Sequence, residues 1–149
     1  MISDYEDIAE YILKNYRNKV VEVGVGSLPH VALLLKDKLD VVVTDVNDRD
    51  YSGLMNPSKQ DEYPWVHQSI RFCRDDIFAP CIEIYKNASL IYSIRPPIDL
   101  QEAMAKVAKE VGADLLVRPF GIEKADLSRY FKNYTLVNYK KARFYLYRS

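Results

Sequence analysis

The sequence predicts an α/β fold: a doubly wound, mostly parallel sheet closed by a C-terminal antiparallel hairpin. Three observations carry this. Apolar runs of strand length alternate with amphipathic helical patterns along most of the chain. The run Val20-Val21-Glu22-Val23 passes into Gly24-Val25-Gly26, a glycine turn suited to the end of a central parallel strand. The last two runs, Tyr134–Tyr139 and Ala142–Tyr147, flank Lys140-Lys141 at hairpin spacing.

Taken in order, Ser3 to Arg17 has a helical stripe (Tyr5, Ile8, Ala9, Ile12, Tyr16) behind a Ser3/Glu6 capping box. The central strand spans about residues 19–25. A helix from Pro29 to Lys38 places Val31, Leu34 and Leu35 inward, and Pro29 suits a first helical position because its missing N–H costs nothing there. A strand from Leu39 to Thr44 ends at Asp45, completing a parallel strand–helix–strand unit. Residues 46–69 mix turn formers with Tyr51, Met55, Tyr63, Trp65 and His67, and read as a lid or substrate wall, or as a packed turn over the sheet.

Ile70 to Cys73 is a third strand, and Pro80 opens a short helix that Asn87 ends. Ala88 to Ile94 is a fourth, strongly apolar strand, running into Arg95-Pro96-Pro97. Asp99 and Glu102 form a capping box for the cleanest helical stripe in the chain, which Gly112 closes. Ala113 to Val117 is a fifth strand, and Ile122 to Phe131 reads as a helix. Lys-Lys is poor turn chemistry for the closing hairpin.

At 149 residues the chain is long enough for one domain, residues 1–149, with a sizeable core. Hydrophobic content of 48% and charged content of 28% are those of a globular protein, and no apolar run reaches the ~20 residues that span a bilayer. The acidic N-terminus lacks a signal-peptide core, so a cytoplasmic location is expected. Cys73 and Cys81 fit no zinc or redox spacing and read as small core residues. His30 and His67 add no metal-ligand cluster, so no metal is expected. Net charge is zero but unevenly spread. Residues 118–149 hold eight basic residues against Glu123 and Asp126, a formal charge of +6. That third is a solvated face or a contact for an anionic partner such as RNA, with tyrosines that suit base stacking. A small-molecule acceptor is the other partner class considered; the oligomeric state is open.

In open α/β sheets ligands bind beyond the carboxyl ends of the strands, where strand order reverses. Four such ends bear polar groups: Gly24–Gly26, Asp45, Asp75-Asp76 and Arg95. Asp45 follows the glycine turn by about twenty residues, the spacing that brings a carboxylate to a ribose diol. It also suits a cap or turn. Of the adjacent acids Asp75 and Asp76, one is expected on a ligand and one on a cap, because neighbouring strand residues point to opposite sides.

Glu22-Val23-Gly24-Val25-Gly26 resembles the first motif of class I S-adenosylmethionine-dependent methyltransferases, whose sheet is Rossmann-like with a reversed seventh strand. Asp45 stands where their ribose-binding acid stands, and Asp76-Ile77 resembles their adenine-contacting acid and its neighbour. The resemblance implies a cofactor site of Glu22, Gly24, Gly26, Asp45, Asp76 and Ile77, with Glu22 at the methionine end. It implies an acceptor side near Ser93, Arg95 and Pro96. More narrowly, Val-Glu-Val-Gly-Val-Gly, Asp75-Asp76-Ile77-Phe78 and Leu90-Ile91-Tyr92-Ser93-Ile94-Arg95-Pro96-Pro97 resemble an uncharacterised archaeal family with this fold.

Two departures shape the expectation. Leu28 stands where such enzymes often have a third glycine, and Pro29 where nicotinamide-binding folds have it. Arg95 replaces the Asn or Asp that precedes Pro-Pro in amino-methylating enzymes. A guanidinium cannot accept a hydrogen bond from an amine, but it matches a carboxylate or phosphate, or pairs with Asp75 or Glu22. The first reading is an S-adenosylmethionine-binding methyltransferase of unknown acceptor, with no general base assigned. The alternatives are a non-catalytic Rossmann module that binds a nucleotide or a partner, and an NAD-binding oxidoreductase.

Overall fold

The computed structural model describes residues 4–26, 28–48 and 70–149. Its elements are α1 (Tyr5–Asn15), β1 (Lys19–Val23), α2 (His30–Leu35), β2 (Asp40–Asp45), β3 (Ile70–Arg74), β4 (Ala88–Ile94), α3 (Ile98–Val111), β5 (Asp114–Arg118), β6 (Thr135–Tyr139) and β7 (Ala142–Tyr147). The strands form one sheet in the order β3-β2-β1-β4-β5-β7-β6. β1 pairs in parallel with β2 and β4, β2 with β3, and β4 with β5; β7 runs antiparallel to both β5 and β6. Strand order therefore reverses between β1 and β4, and one strand is inverted within an otherwise parallel sheet. This is the order of class I methyltransferase folds.

Alternation along the strands splits the core. Val20, Val41, Val43, Leu90, Tyr92 and Phe144 face α1 and α2. Val21, Val42, Ile91, Leu115 and Val117 face α3 and the buried rings of Tyr85 and Phe131. Valine and isoleucine dominate because each central strand is covered on both sides. No helix among the described residues is long and apolar enough to cross a membrane.

The helix expected over Ile122 to Phe131 is replaced by irregular backbone with a turn at 128–130. Its apolar positions Ala125, Leu127 and Phe131 are buried as expected. The backbone is claimed by other partners: Ala125 N donates to Gln101 Oε1 at 2.9 Å, and Gln101 Nε2 donates to the Glu123 and Pro96 carbonyls at 3.2 Å each. Ser128 N donates to the Asp126 carboxylate, a local turn that competes with helix.

The capping box at Asp99 and Glu102 does not form. α3 starts two residues earlier, at Ile98 behind Pro97, and Asp99 accepts from the adjacent Leu100 N. The helix after Pro80 shrinks to a 3-10 turn, Ile82–Ile84, because the Asp75 carboxylate holds Cys81 N at 3.0 Å and the Tyr85 hydroxyl at 2.6 Å. α2 starts at His30 rather than Pro29 and leaves Leu34 exposed; Cys81 is exposed rather than in the core. The Ser3/Glu6 box and residues 49–69 lie outside the described residues.

The Lys140-Lys141 turn is supported from α1. Lys140 adopts a left-handed φ of 54°. Its Nζ reaches both Glu10 oxygens at 2.6 Å, and Lys141 N donates to Asp7 at 2.9 Å. Acids on the first helix supply what the turn sequence lacks.

Gln101, fully buried, should therefore matter more than its type suggests. Gln101→Leu leaves a buried N–H and two carbonyls without partners, and should lower stability to urea by about 2–3 kcal/mol. Glu10→Ala, at an exposed ion pair, should cost much less. Equal losses would contradict this account.

Candidate functional site

The site grows from the carboxyl end of β1. Beyond Val23 the chain turns through Gly24 and Gly26 in the left-handed region, with φ of 67° and 73°. A side chain at either position is strained by that φ. Room is not the obstacle, since a Cβ at Gly24 would make an ordinary 3.5 Å contact with Leu100 and one at Gly26 would meet nothing within 4 Å. The flanking strands hold this turn in place. Val25 N donates to the Thr44 carbonyl at 3.0 Å, the Thr44 hydroxyl donates to the Glu22 carbonyl at 3.1 Å, and the Ser93 hydroxyl donates to the Val23 carbonyl at 2.7 Å.

Asp45 completes the clamp from the end of β2. One carboxylate oxygen accepts from Gly26 N at 2.9 Å and the other from Asn47 N at 3.0 Å. The expected carboxylate is thus beside the glycine turn, only 8% exposed, and tied to it.

Glu22 points to the α1–α2 side and is buried beside Tyr92 of β4, its register partner. Neither Glu22 Oε1 nor the Tyr92 hydroxyl has a hydrogen-bond partner among the described residues. Burial pushes the Glu22 carboxyl up to about 8, an effect that the nearby Tyr92 phenol only partly offsets. Burial, with the Glu22 charge beside it, raises Tyr92 well above the usual phenol range. The Glu22 carboxyl opens on a hollow of about 120 Å³, lined also by Leu28, Arg95 and the Tyr5–His30 pair. Those two rings stack 4.9 Å apart at 7°. Leu28 is 53% exposed and forms a wall of the hollow.

A second hollow of about 480 Å³ lies at the ends of β2 and β3, lined by Val46, Arg74, Asp75 and Asp76. Asp75 is occupied with Cys81 and Tyr85, whereas Asp76 accepts from Phe78 N at 2.9 Å in a local turn. Of the two adjacent acids, Asp75 is tied into the fold by two contacts, and Asp76 lines the hollow with one local contact. The Ile77 side chain is not in this hollow. It is buried in the core on the α3 side, because the turn after β3 carries it under the sheet.

The expected acceptor-side residues divide too. The Ser93 side chain is buried and bonded inward to β1, so it ties strands together instead of facing an acceptor. Pro96 is buried, and its carbonyl accepts from Gln101. Arg95 is exposed with a left-handed φ of 58°, and its N–H donates to the Arg118 carbonyl at 2.6 Å. It forms no ion pair with Asp75 or Glu22; its guanidinium lies 5.8 Å from the centre of the Phe120 ring.

Glu22 and Arg95 thus share the first hollow, Asp76 lines the second, and Asp45 and the glycines occupy the turn at the end of β1. Sequence reasoning gave no site role to Thr44, Tyr92, Phe120 or the Tyr5–His30 pair. Tyr92 was the most findable, as the one ring among the residues of β4.

The Glu22 carboxyl makes the stability of the fold depend on pH. Its proton is held in the folded state up to about 8 and in the unfolded chain only to the ordinary carboxyl value of 4.5. Across that window the folded state binds more protons, so stability falls as pH rises, by up to about 1.4 kcal/mol per pH unit. Urea melts of wild type and Glu22→Gln should differ by that slope, the variant gaining relative stability towards high pH. Parallel profiles would contradict the assignment.

A profile of the uncharacterised protein family UPF0146 matches residues 5–149. The UPF0146 protein of Archaeoglobus fulgidus is 41% identical over 142 residues, covering 95% of this chain and 92% of its own. That of Methanothermobacter thermautotrophicus is 35% identical over 147 residues, covering 96% and 94%. Among solved structures, the antibiotic-resistance methyltransferase Kmr superimposes with a TM-score of 0.61 at 12% identity, over 100% of this chain and 95% of that one. An RNA methyltransferase from Salinibacter ruber, in complex with S-adenosyl-L-homocysteine, gives 0.57 at 12% identity, over 94% and 88%. TehB from Haemophilus influenzae gives 0.56 at 20% identity, over 100% and 63%. The fold is that of class I methyltransferases, and the chain belongs to the uncharacterised archaeal family UPF0146.

Proposed function

We propose that the protein binds S-adenosylmethionine at the carboxyl end of β1 and transfers its methyl group to an acceptor. The observation that carries this reading is the arrangement at the strand-order reversal. A turn with glycine at 24 and 26 is clamped by Asp45, and a buried carboxyl with an unpartnered oxygen, Glu22, opens beside it. These residues fit the cofactor. Glu22 would take the ammonium of the methionine end, where a cation restores the charged form that burial disfavours. Asp45 would face the ribose diol from its place beside Gly26. Asp76 would accept from the adenine amino group in the second hollow.

When bound, the cofactor supplies an activated methyl on a sulfonium, so the chain's task is alignment and exclusion of water. Leu28 and the Tyr5–His30 stack line the hollow. Arg95 at its edge attracts anionic groups and disfavours cationic acceptors, since a guanidinium stays charged at working pH.

Arg95 also supports a second reading, a module that binds the nucleoside without turnover, because it stands where an amine-positioning acceptor stands in amino-methylating enzymes. Methyl transfer to a cell extract separates the two. Nicotinamide chemistry is the least supported, because β7 is inverted between β5 and β6.

Calorimetry should show S-adenosylhomocysteine binding and no comparable binding of NAD. Asp45→Ala should weaken that binding about tenfold or more, ~1.4 kcal/mol per decade, and Arg95→Ala should leave it within about twofold. No binding to wild type, or an Asp45→Ala variant that binds equally, would overturn the cofactor assignment.

A further inference from the structure

The carboxyl edge of the sheet continues past the cofactor hollow. Register places Arg95 after Ile94, Ile94 opposite Arg118 in β5, and Val117 of β5 opposite Tyr145 in β7. Three neighbouring strands thus present a row running from the mouth of the hollow to the hairpin, with a spacing of ~4.8 Å per strand.

Two features occupy that row. The first is the Arg95–Phe120 pair. Arg95 is exposed, Phe120 is 60% exposed, and the guanidinium lies over the ring. Arg95 is held in its left-handed conformation by the Arg118 carbonyl, a strained backbone of the kind found at functional positions. An exposed aromatic face with an arginine over it makes a stacking platform.

The second is a groove of about 300 Å³ that Pro119 and Gly121, the neighbours of Phe120, help to line. Its cations are Arg118, Lys141 and Arg143, and Tyr145 forms part of its wall. The one acid in the lining, Asp4, is neutralised by Arg118 at 2.8 Å. Lys141 and Arg143 are exposed and form no ion pair with any described residue. Lys124 stacks on Tyr134 and Tyr145, with 4.1 Å and 5.6 Å to the ring centres, and adds positive charge behind that wall. Elsewhere the basic third is tempered by α1, where Glu10 pairs with Lys140. Here Asp7 accepts from the Lys141 backbone N–H, and the Lys141 and Arg143 side chains form no ion pair among the described residues.

We propose that this edge binds a single-stranded polynucleotide, one base stacking on Arg95–Phe120 and the neighbouring phosphates meeting Lys141 and Arg143. An aromatic platform followed by unpaired cations suits a chain with flat bases on a charged backbone. A duplex hides its base faces, and an acidic peptide has no use for the platform. The inference deepens the methyl-transfer reading by naming the acceptor class. It rests on that reading for the fate of the bound base, and not for binding itself.

The test is fluorescence anisotropy on the full chain without cofactor. The probes are labelled oligoribonucleotides of about a dozen residues, their deoxy counterparts, a duplex of the same length, and inorganic polyphosphate. Single strands should bind at least about tenfold more tightly than the duplex. Phe120→Ala should weaken single-strand binding by about tenfold, and Phe120→Tyr should restore it. A Lys141→Ala, Arg143→Ala double variant should weaken binding about equally to all sequences and reduce the salt slope by ~1.4, the value for two phosphates on a single strand. All the substituted side chains are exposed, so melting temperatures should hold.

The ribose and deoxyribose arms decide between RNA and DNA. Polyphosphate binding as tightly as the oligonucleotides, indifference to Phe120→Ala, or no binding would overturn the proposal. S-adenosylhomocysteine affinity should be unchanged in these variants. If the wild type takes the oligonucleotide but not S-adenosylhomocysteine, the surface stands and the cofactor reading fails.

Discussion

The turn at the end of β1 depends on hydrogen bonds from outside the strand. A strand that stops in the middle of a sheet leaves carbonyls and amides that its ladder no longer serves, and buried backbone groups must be paired. Thr44 and Ser93 supply hydroxyls to the Glu22 and Val23 carbonyls, and Asp45 supplies a carboxylate to the Gly26 amide. These contacts come from β2 on one side and β4 on the other. They hold Gly24 and Gly26 in the left-handed region, with the Val25 side chain buried between them. Everything assigned to the ligand site is placed relative to that turn.

The same three side chains show why residue type is an incomplete guide to role. A serine near an acceptor site and a serine that ties two strands look alike in sequence. Ser93 is the second kind, and only register across β1 and β4 reveals it. Asp45 is both a clamp on the turn and, on our reading, a ligand group. Once Gly26 and Asn47 hold the carboxylate, its position is fixed before any ligand arrives, which lowers the ordering cost of binding.

Much of the architecture was legible because valine-rich strands and one strong helical stripe leave few alternatives. β4 matched its apolar run residue for residue, and α3 ended at Gly112, which has the left-handed φ expected of a cap. What failed was local pattern overruled by distant partners. Residues 122–131 have helical spacing, yet Gln101 takes their backbone groups. Asp99 and Glu102 spell a capping box, yet Pro97 lets the helix begin ahead of it. Spacing singled out the acids and glycines at the strand ends, and the structure sets Asp45 beside the Gly24–Gly26 turn. The Ile77 side chain turns into the core while Asp76 lines the hollow, because adjacency does not mean a shared direction. Phe120 was missed because nothing local marks an exposed phenylalanine as the partner of an arginine 25 positions earlier.

The central claim is that a nucleoside ligand settles on the clamped turn and spreads from Glu22 towards Asp76. Backbone amide NMR during a titration with S-adenosylhomocysteine tests it most directly. The account predicts shift changes concentrated at Glu22 to Gly26, at Asp45 to Asn47 and at Asp75 to Ile77, with little change along the exposed face of α3. Changes confined to other parts of the surface, or a spectrum that saturating ligand leaves unmoved, would contradict it.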